Sequence, residues 1–127
     1  MDFFYSVPTS KTVDEAIDAV KENAGKAGFR VLHIHNVTAT LAEKGFNREE
    51  LRIIEVCHAP SLNRILDADI NIAYFTPCKI NVYAQDGQVH LGTMRPTMMS
   101  QFFPGAEIAD VAQSVESALM QILASSR

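Results

Sequence analysis

The sequence predicts a single α+β domain over residues 1–127, with a mostly antiparallel sheet packed in two layers on two long helices. Two amphipathic helical patterns lie near the ends of the chain, and apolar runs with the two-residue period of strands lie between them. Between two of these runs stands Asp86-Gly87, a dipeptide typical of tight hairpin turns. The expected order is therefore strand, helix, four strands with short helical insertions, and a closing helix.

The composition excludes several classes of partner. Lys and Arg number 11 against 15 Asp and Glu, for a net charge of −4. An acidic chain without a basic block gains little by binding phosphates, so we expect no nucleic-acid partner. No apolar run approaches the roughly 20 residues that cross a bilayer, so we expect no membrane partner.

Cysteine content and the N-terminal residues predict a compartment. The first eight residues lack the cationic start and long apolar segment of a signal peptide. We therefore expect a cytoplasmic protein, in which thiols stay reduced. Two cysteines are too few for a disulfide framework or an all-cysteine zinc site, and no cofactor is expected.

The first elements have clear local signals. Residues 3–7 are aromatic and β-branched, which predicts a strand at a sheet edge, and Pro8 is expected to end it. Thr12 and Glu15 match a capping box, in which side chain and backbone satisfy each other's hydrogen bonds at the start of a helix. Apolar residues at helical spacing follow, and two glycines are expected to end this helix.

The middle of the chain is predicted to alternate strands with short helices. Residues 29–37 are expected to form a strand with Leu32 and Ile34 on one face. The next segments are expected to be a two-turn helix at residues 38–44, a central strand at residues 51–57, and a short helix at residues 62–66 that is capped by a serine. Residues 70–75 are ambiguous between strand and loop.

The last part of the chain is predicted to form a hairpin and a long helix. Residues 78–84 alternate between the two faces of a strand, and the strand that returns from the turn ends near Arg95. Residues 97–105, rich in Met and Phe, are expected to form an irregular connection. From residue 108 to residue 122 apolar positions follow one helical face.

The two cysteines mark the expected functional site, because each lies within three residues of a proline and directly beside a cationic or titratable residue. If the strand ending at Cys57 is antiparallel to the strand beginning at Cys78, the two thiols come close together. Arg95 is then expected at the same end of the sheet, by way of the hairpin. His58 and Lys79 are expected close by, although alternation directs them opposite to the neighbouring cysteines.

Three interpretations of these thiols stay open. Both can be small buried hydrophobic residues, as free cysteines commonly are. Alternatively, cationic neighbours can lower a thiol pKa, so that Cys57 or Cys78 acts as a nucleophile in disulfide, persulfide or adduct chemistry. The third interpretation is a soft metal bound with a histidine, for which the supply of ligands is thin.

Three further side chains are ambiguous. His33 and His35 share one face of a strand, a geometry that a metal can use, but we favour ordinary hydrogen bonds nearer the opposite end of the sheet from the thiols. Glu55 interrupts an apolar strand. On a covered face its carboxylate needs a partner such as Arg95 or Lys79, whereas on an open face it is solvated.

Several short motifs follow the order of one family. They are Gly28-Phe29-x-Val31-Leu32, Leu41-x-x-Lys44-Gly45, Ile54-x-x-Cys57, Pro77-Cys78-x-Ile80-x-Val82-Tyr83, Asp86-Gly87 and x-Pro96. From about residue 13 to residue 96 the sequence resembles the domain-of-unknown-function family three hundred and two. The resemblance implies a TATA-binding-protein-like fold, frequent dimerisation and no established reaction. Likeness to the fold of a DNA-binding protein carries no function with it.

Departures from the family pattern make the expected site more cationic. His58 and Lys79 stand where the family often has asparagine, and Arg95 stands where an acidic residue is common. We therefore expect a homodimeric protein that binds a small anionic or thiol-reactive ligand. The expected ligand-binding residues are Cys57, Cys78, His58, Lys79, Arg95 and Glu55. A thiol or sulfur redox carrier or enzyme, and a dimerisation module with inert cysteines, are the alternatives.

Overall fold

The architecture is a five-stranded antiparallel sheet with helices, in a computed structural model that describes residues 2–127. The strands are β1 (Phe4–Thr9), β2 (Arg30–Asn36), β3 (Leu51–Cys57), β4 (Cys78–Gln85) and β5 (Gln88–Met94). The helices are α1 (Val13–Lys26), α2 (Val37–Ala42), α3 (Ala59–Ala68), α4 (Thr97–Phe102) and α5 (Ala109–Ser126). Short 3-10 turns cover Ile70–Phe75 and Pro104–Ala106. The predicted α+β class and element order are confirmed.

The sheet has the strand order β1-β5-β4-β3-β2, and α1 and α5 pack on one of its faces. This covered face includes residues that are fully buried against the two helices: Ile54, Val56, Ile80, Val82 and Leu91. Alternate residues of the same strands point to the other side. We call that side the open face, and its central residues are Ile53, Glu55, Lys79, Asn81 and Tyr83.

Local signals explain two of the elements. At the start of α1 the Glu15 N–H donates to Thr12 Oγ1 (3.2 Å), and the Thr12 N–H donates to Glu15 Oε1 (2.9 Å), which completes the predicted capping box. Asp86 and Gly87 both have positive φ, at 52° and 80°. A two-residue hairpin turn of this hand needs that backbone conformation, which glycine adopts without strain.

One prediction about β2 is wrong. Val31 pairs with Val56 and His33 pairs with Glu55, so Leu32 is an extra residue in a bulge. A bulge shifts the alternation of side chains by one position. Val31 and Ile34 therefore pack on the core, and Leu32, expected to share the face of Ile34, is 47% exposed.

The expected irregular connection at residues 97–105 is also wrong, because it contains α4. The Glu116 carboxylate of α5 accepts hydrogen bonds from the Thr97 N–H (3.1 Å) and the Thr97 hydroxyl (2.7 Å). These bonds satisfy a free donor at the start of α4. The accepting carboxylate belongs to α5, which is distant in the chain, so no local sequence pattern indicates where α4 begins.

Pro8 and Ser61 do not have the roles expected of them at the ends of their elements. Pro8 lies inside β1 instead of ending it, which an edge strand allows because its outer backbone groups need no partner. The helix expected over residues 62–66 with Ser61 as its cap begins earlier, at Ala59, with His58 at the capping position.

A second, smaller core lies apart from the sheet. It joins α3, the 3-10 turn after it, α4 and the start of α5 through five buried side chains: Ile65, Ile72, Met99, Ile108 and Val111. Ile65 and Met99 also line a cavity beside Cys78. This small core therefore forms one wall of the region that contains the thiols.

Candidate functional site

Both thiols lie at adjoining ends of β3 and β4. Val56 pairs with Cys78 in the antiparallel register, which places Cys57 diagonally next to Cys78. Both line one small cavity of about 20 Å³, together with His58 and Met99. Both cysteines are free. The sequence-based expectation that the two stretches meet is therefore correct.

Cys78 lies in surroundings that suppress ionisation. Its side chain continues the face of Ile80 and Val82 and packs against the main core. Burial, and secondly the nearby Cys57, raise the pKa of the Cys78 thiol to about 11. Cys78 is therefore protonated near neutral pH, which is the opposite of the lowered thiol pKa that cationic neighbours would produce.

His58 is held in place by packing and one hydrogen bond. Its Nδ1 lies 2.7 Å from the Ser61 hydroxyl oxygen, and its ring lies against Phe29 with 5.3 Å between ring centroids. A Cβ on Gly28 would come within 3.6 Å of the imidazole Cδ2. The histidine therefore fills the end of the thiol cavity as part of its wall.

Arg95 does not line the thiol cavity. Its Nε and Nη2 donate to Oε2 of Glu116 at 3.3 and 3.2 Å. Glu116 is 1% exposed. Burial raises the pKa of this carboxyl, but hydrogen bonds from Thr97 and from Arg95 outweigh burial and leave the pKa lowered. The register of β4 and β5, continued beyond the pairing of Ile80 with Thr93, places Arg95 at the Cys78 end of the sheet, as expected. Its guanidinium pairs with the buried Glu116 carboxylate and does not line the thiol cavity.

Lys79 lies on the open face, opposite to Cys78, as alternation predicts. It lines a cleft of about 440 Å³ whose floor is formed by β1, β5, β4 and β3. Cys78 and Pro77 also reach this cleft, so the thiol region adjoins its end. Of the six expected site residues, Cys78 and Lys79 are the two that line it.

The walls of the cleft come from residues that sequence reasoning did not assign to a site. They are mainly apolar or aromatic: Phe4, Phe75, Tyr83, Met94, Pro96 and Met99. Gly92 lies in the floor, where a Cβ would meet Ser6 Cβ and the Tyr5 carbonyl oxygen at 3.4 Å. The alternation of β4 could have indicated Asn81 and Tyr83, because both share the face of Lys79.

Glu55 lies on the open face between Lys79 of β4 and His33 of β2 in the register of the sheet. His35 Nε2 lies 3.4 Å from Glu55 Oε2, and the His33 and His35 rings are 4.4 Å apart in an edge-to-face arrangement. The two histidines were expected away from the site residues. The bulge at Leu32 instead brings them to Glu55.

Among the residues that the structure describes, no group of three or more His, Cys, Asp or Glu side chains is placed to hold a metal ion.

Within residues 2–127 no helix combines the length and apolar character needed to cross a membrane.

Comparisons with known proteins agree with the resemblance found in the sequence. The family model described as "Domain of unknown function DUF302" matches residues 5–126. A crystal structure of an uncharacterized conserved DUF302 protein from Bacillus stearothermophilus is 31% identical, with full coverage of both chains and a TM-score of 0.94. No curated protein matches the chain. The chain therefore belongs to the DUF302 family of domains of unknown function.

Proposed function

We propose that this protein is a homodimeric small-ligand-binding domain whose ligand lies in the open-face cleft. The observation that carries the proposal is the cleft itself, at about 440 Å³. Pockets of roughly 300–1,000 Å³ with mostly apolar walls and a few polar groups are the usual form of small-molecule sites. The cleft is built on the strands of the sheet, which hold binding groups in place better than loops do.

The lining residues favour one class of ligand. Phe75, Met94 and Pro96 offer apolar contacts, and Tyr83 adds an aromatic ring with a hydroxyl group. Lys79 is the one cation among the residues that line the cleft. The ligand that fits this lining has an apolar or aromatic body and one anionic group held by Lys79.

A fluorescent aromatic sulfonate, 8-anilinonaphthalene-1-sulfonate, tests the proposal because it combines these two features. We expect saturable binding to the folded protein, with the affinity lowered about tenfold in Lys79→Met, since one charge-assisted hydrogen bond contributes about 1.5–3 kcal/mol. Fluorescence titration measures the affinity. Bound probe also raises the melting temperature by mass action.

Lys26→Met is the matched control, because Lys26 is an exposed lysine on α1 that pairs with Glu22. This variant should bind the probe as the wild type does. No saturable binding, or the same loss in both variants, would contradict the proposed site.

A second candidate function is thiol or sulfur chemistry. Both thiols line one cavity, which is the observation that favours it. Because burial keeps the Cys78 thiol protonated, Cys57 is the better nucleophile of the two. The cytoplasm is the compartment we propose, since it keeps such thiols reduced. If neither ligand binding nor thiol reactivity is found, a dimerisation module with inert cysteines is the third candidate.

A further inference from the structure

The open face carries two opposite charges side by side. Glu55 and Lys79 are direct partners in the antiparallel register of β3 and β4. The Glu55 carboxylate contacts His35 Nε2, and the ion pairs found within residues 2–127 include none for Lys79. Glu55 and Lys79 are neighbouring side chains of opposite charge at the same level along the strands. A copy of this pair turned by 180° about the strand direction therefore places each charge opposite its counterpart.

Exposed apolar side chains lie on the β5 and β1 side of these charges. Phe4 and Met94 are partners in β1 and β5, at one end of the sheet, and are 75% and 41% exposed. Contiguous apolar patches on a protein surface commonly mark interaction sites. An acidic chain without a basic patch does not favour nucleic acid there.

We propose that a second copy of this chain covers the open face, related by a two-fold axis that runs along the strands between β3 and β4. Rotation about this axis exchanges β3 with β4 and leaves each level along the strands unchanged. Lys79 of each copy then faces Glu55 of the partner subunit, and the ion pair forms twice. An axis perpendicular to the strands would instead place Lys79 against Lys79, a repulsive arrangement.

Side-chain size agrees with the same axis. One level of the sheet joins Gly92, Asn81, Ile53 and His35 as successive partners across β5, β4, β3 and β2. The rotation places Gly92 opposite His35 of the partner subunit, so that the smallest residue of this level faces the imidazole ring. Packed sheets cross at about 30°, so the proposed pairing requires the crossing point to lie near Glu55 and Lys79, where residues are displaced least.

This inference rests on the homodimer of the proposed function and adds the face and the register. The partner closes the cleft, and because Gly92 lies in the floor of the cleft, His35 of the partner subunit becomes part of the wall of the ligand site. The Lys79 ammonium has three donors, which suffice for a ligand anion and for Glu55 of the partner subunit together.

Charge reversal tests the axis, with sedimentation velocity on the full chain without ligand as the measurement. We expect the wild type to be a dimer. Glu55→Lys alone and Lys79→Glu alone should each weaken the homodimer, on the order of 100-fold, because like charges then face each other twice. An equimolar mixture of the two variants should form a heterodimer, in which every facing pair is again of opposite sign.

The mixture separates an interface from an effect within one chain, since a second chain cannot repair a contact inside the first. The double variant Glu55→Lys/Lys79→Glu should dimerise as the wild type does, which also shows that reversed charges allow folding. Charge reversal on α1, with Glu22→Lys and Lys26→Glu, is the control and should leave the dimer unchanged.

Three outcomes would overturn the inference: a monomeric wild type, a dimer that neither reversal weakens, or a mixture that fails to associate. Sulfonate binding distinguishes this failure from failure of the proposed function. Glu55 does not line the cleft, so a monomeric Glu55→Lys variant that still binds the probe keeps the ligand site intact.

Discussion

The two faces of the central strand β4 differ in what they do, although their residues alternate along eight positions. Ile80 and Val82 are fully buried under α1 and α5. Lys79, Asn81 and Tyr83, between and beside them, lie on the open face and line the cleft. The covered face supplies stability through apolar burial, and the open face is left available for contacts with a ligand or a second chain.

The largest expected effect compares neighbouring residues on these two faces. Ile80→Ala should lower the free energy of unfolding by about 2–5 kcal/mol, because it removes buried methylene groups and leaves a cavity in the core. Asn81→Ala should change it by no more than about 0.5 kcal/mol, as partly exposed surface substitutions usually do. Urea unfolding followed by circular dichroism measures both. Equal losses would mean that the open face also holds the fold together.

An intermediate effect is expected for Glu116, the buried carboxylate among the packed helices. Glu116→Gln keeps the shape and removes the charge that holds Arg95, so stability should fall by about 1–2 kcal/mol, reduced because Arg95 is partly exposed. The control Glu22→Gln removes an exposed carboxylate and should have little effect.

Glu116 also predicts a pH dependence. The pKa of its carboxyl is lower in the folded protein than its ordinary value of 4.5. Its stabilising contribution is therefore complete above that value and is lost as pH falls through the lowered folded pKa. Unfolding measured from pH 7 downward should show a smaller acid-induced loss for Glu116→Gln than for the wild type. Parallel pH profiles of the two proteins would contradict this role.

The smallest effect on stability is expected at the thiols, where the change is in reactivity. In the Cys57→Ser variant the remaining thiol, Cys78, should react with iodoacetamide far more slowly than a free small-molecule thiol. Its rate should rise with pH toward about 11, because burial raises its pKa. Mass spectrometry of timed samples measures the rate. Fast alkylation near neutral pH would show that Cys78 is accessible and ionised, and would favour the thiol-chemistry candidate.

Sequence reasoning succeeded where short-range patterns decide the structure. The alternation of β4, the capping box of α1 and the Asp86-Gly87 turn each depend on residues within a few positions of one another, and each is found as predicted. The meeting of Cys57 and Cys78 followed from these patterns with one further assumption, the pairing of β3 with β4.

Sequence reasoning failed where a partner distant in the chain decides. α4 begins under the carboxylate of Glu116, which lies 19 positions after Thr97. The same carboxylate engages the Arg95 guanidinium, which does not line the thiol cavity although Arg95 lies at the same end of the sheet. The extra residue at Leu32 is visible only when β2 is paired with β3, and it moves His33 and His35 next to Glu55.

The two stretches that contain the thiols show the same division. Residue order by itself indicated that Cys57 ends one strand, that Cys78 begins another, and that Lys79 points away from Cys78, because side chains alternate along any strand. Only the tertiary structure decided that β3 pairs with β4, that Cys78 is partly buried and protonated, that Arg95 pairs with Glu116, and that apolar walls complete a cleft beside Lys79. Burial and ion pairing depend on elements brought together from distant parts of the chain, and local patterns do not specify those contacts.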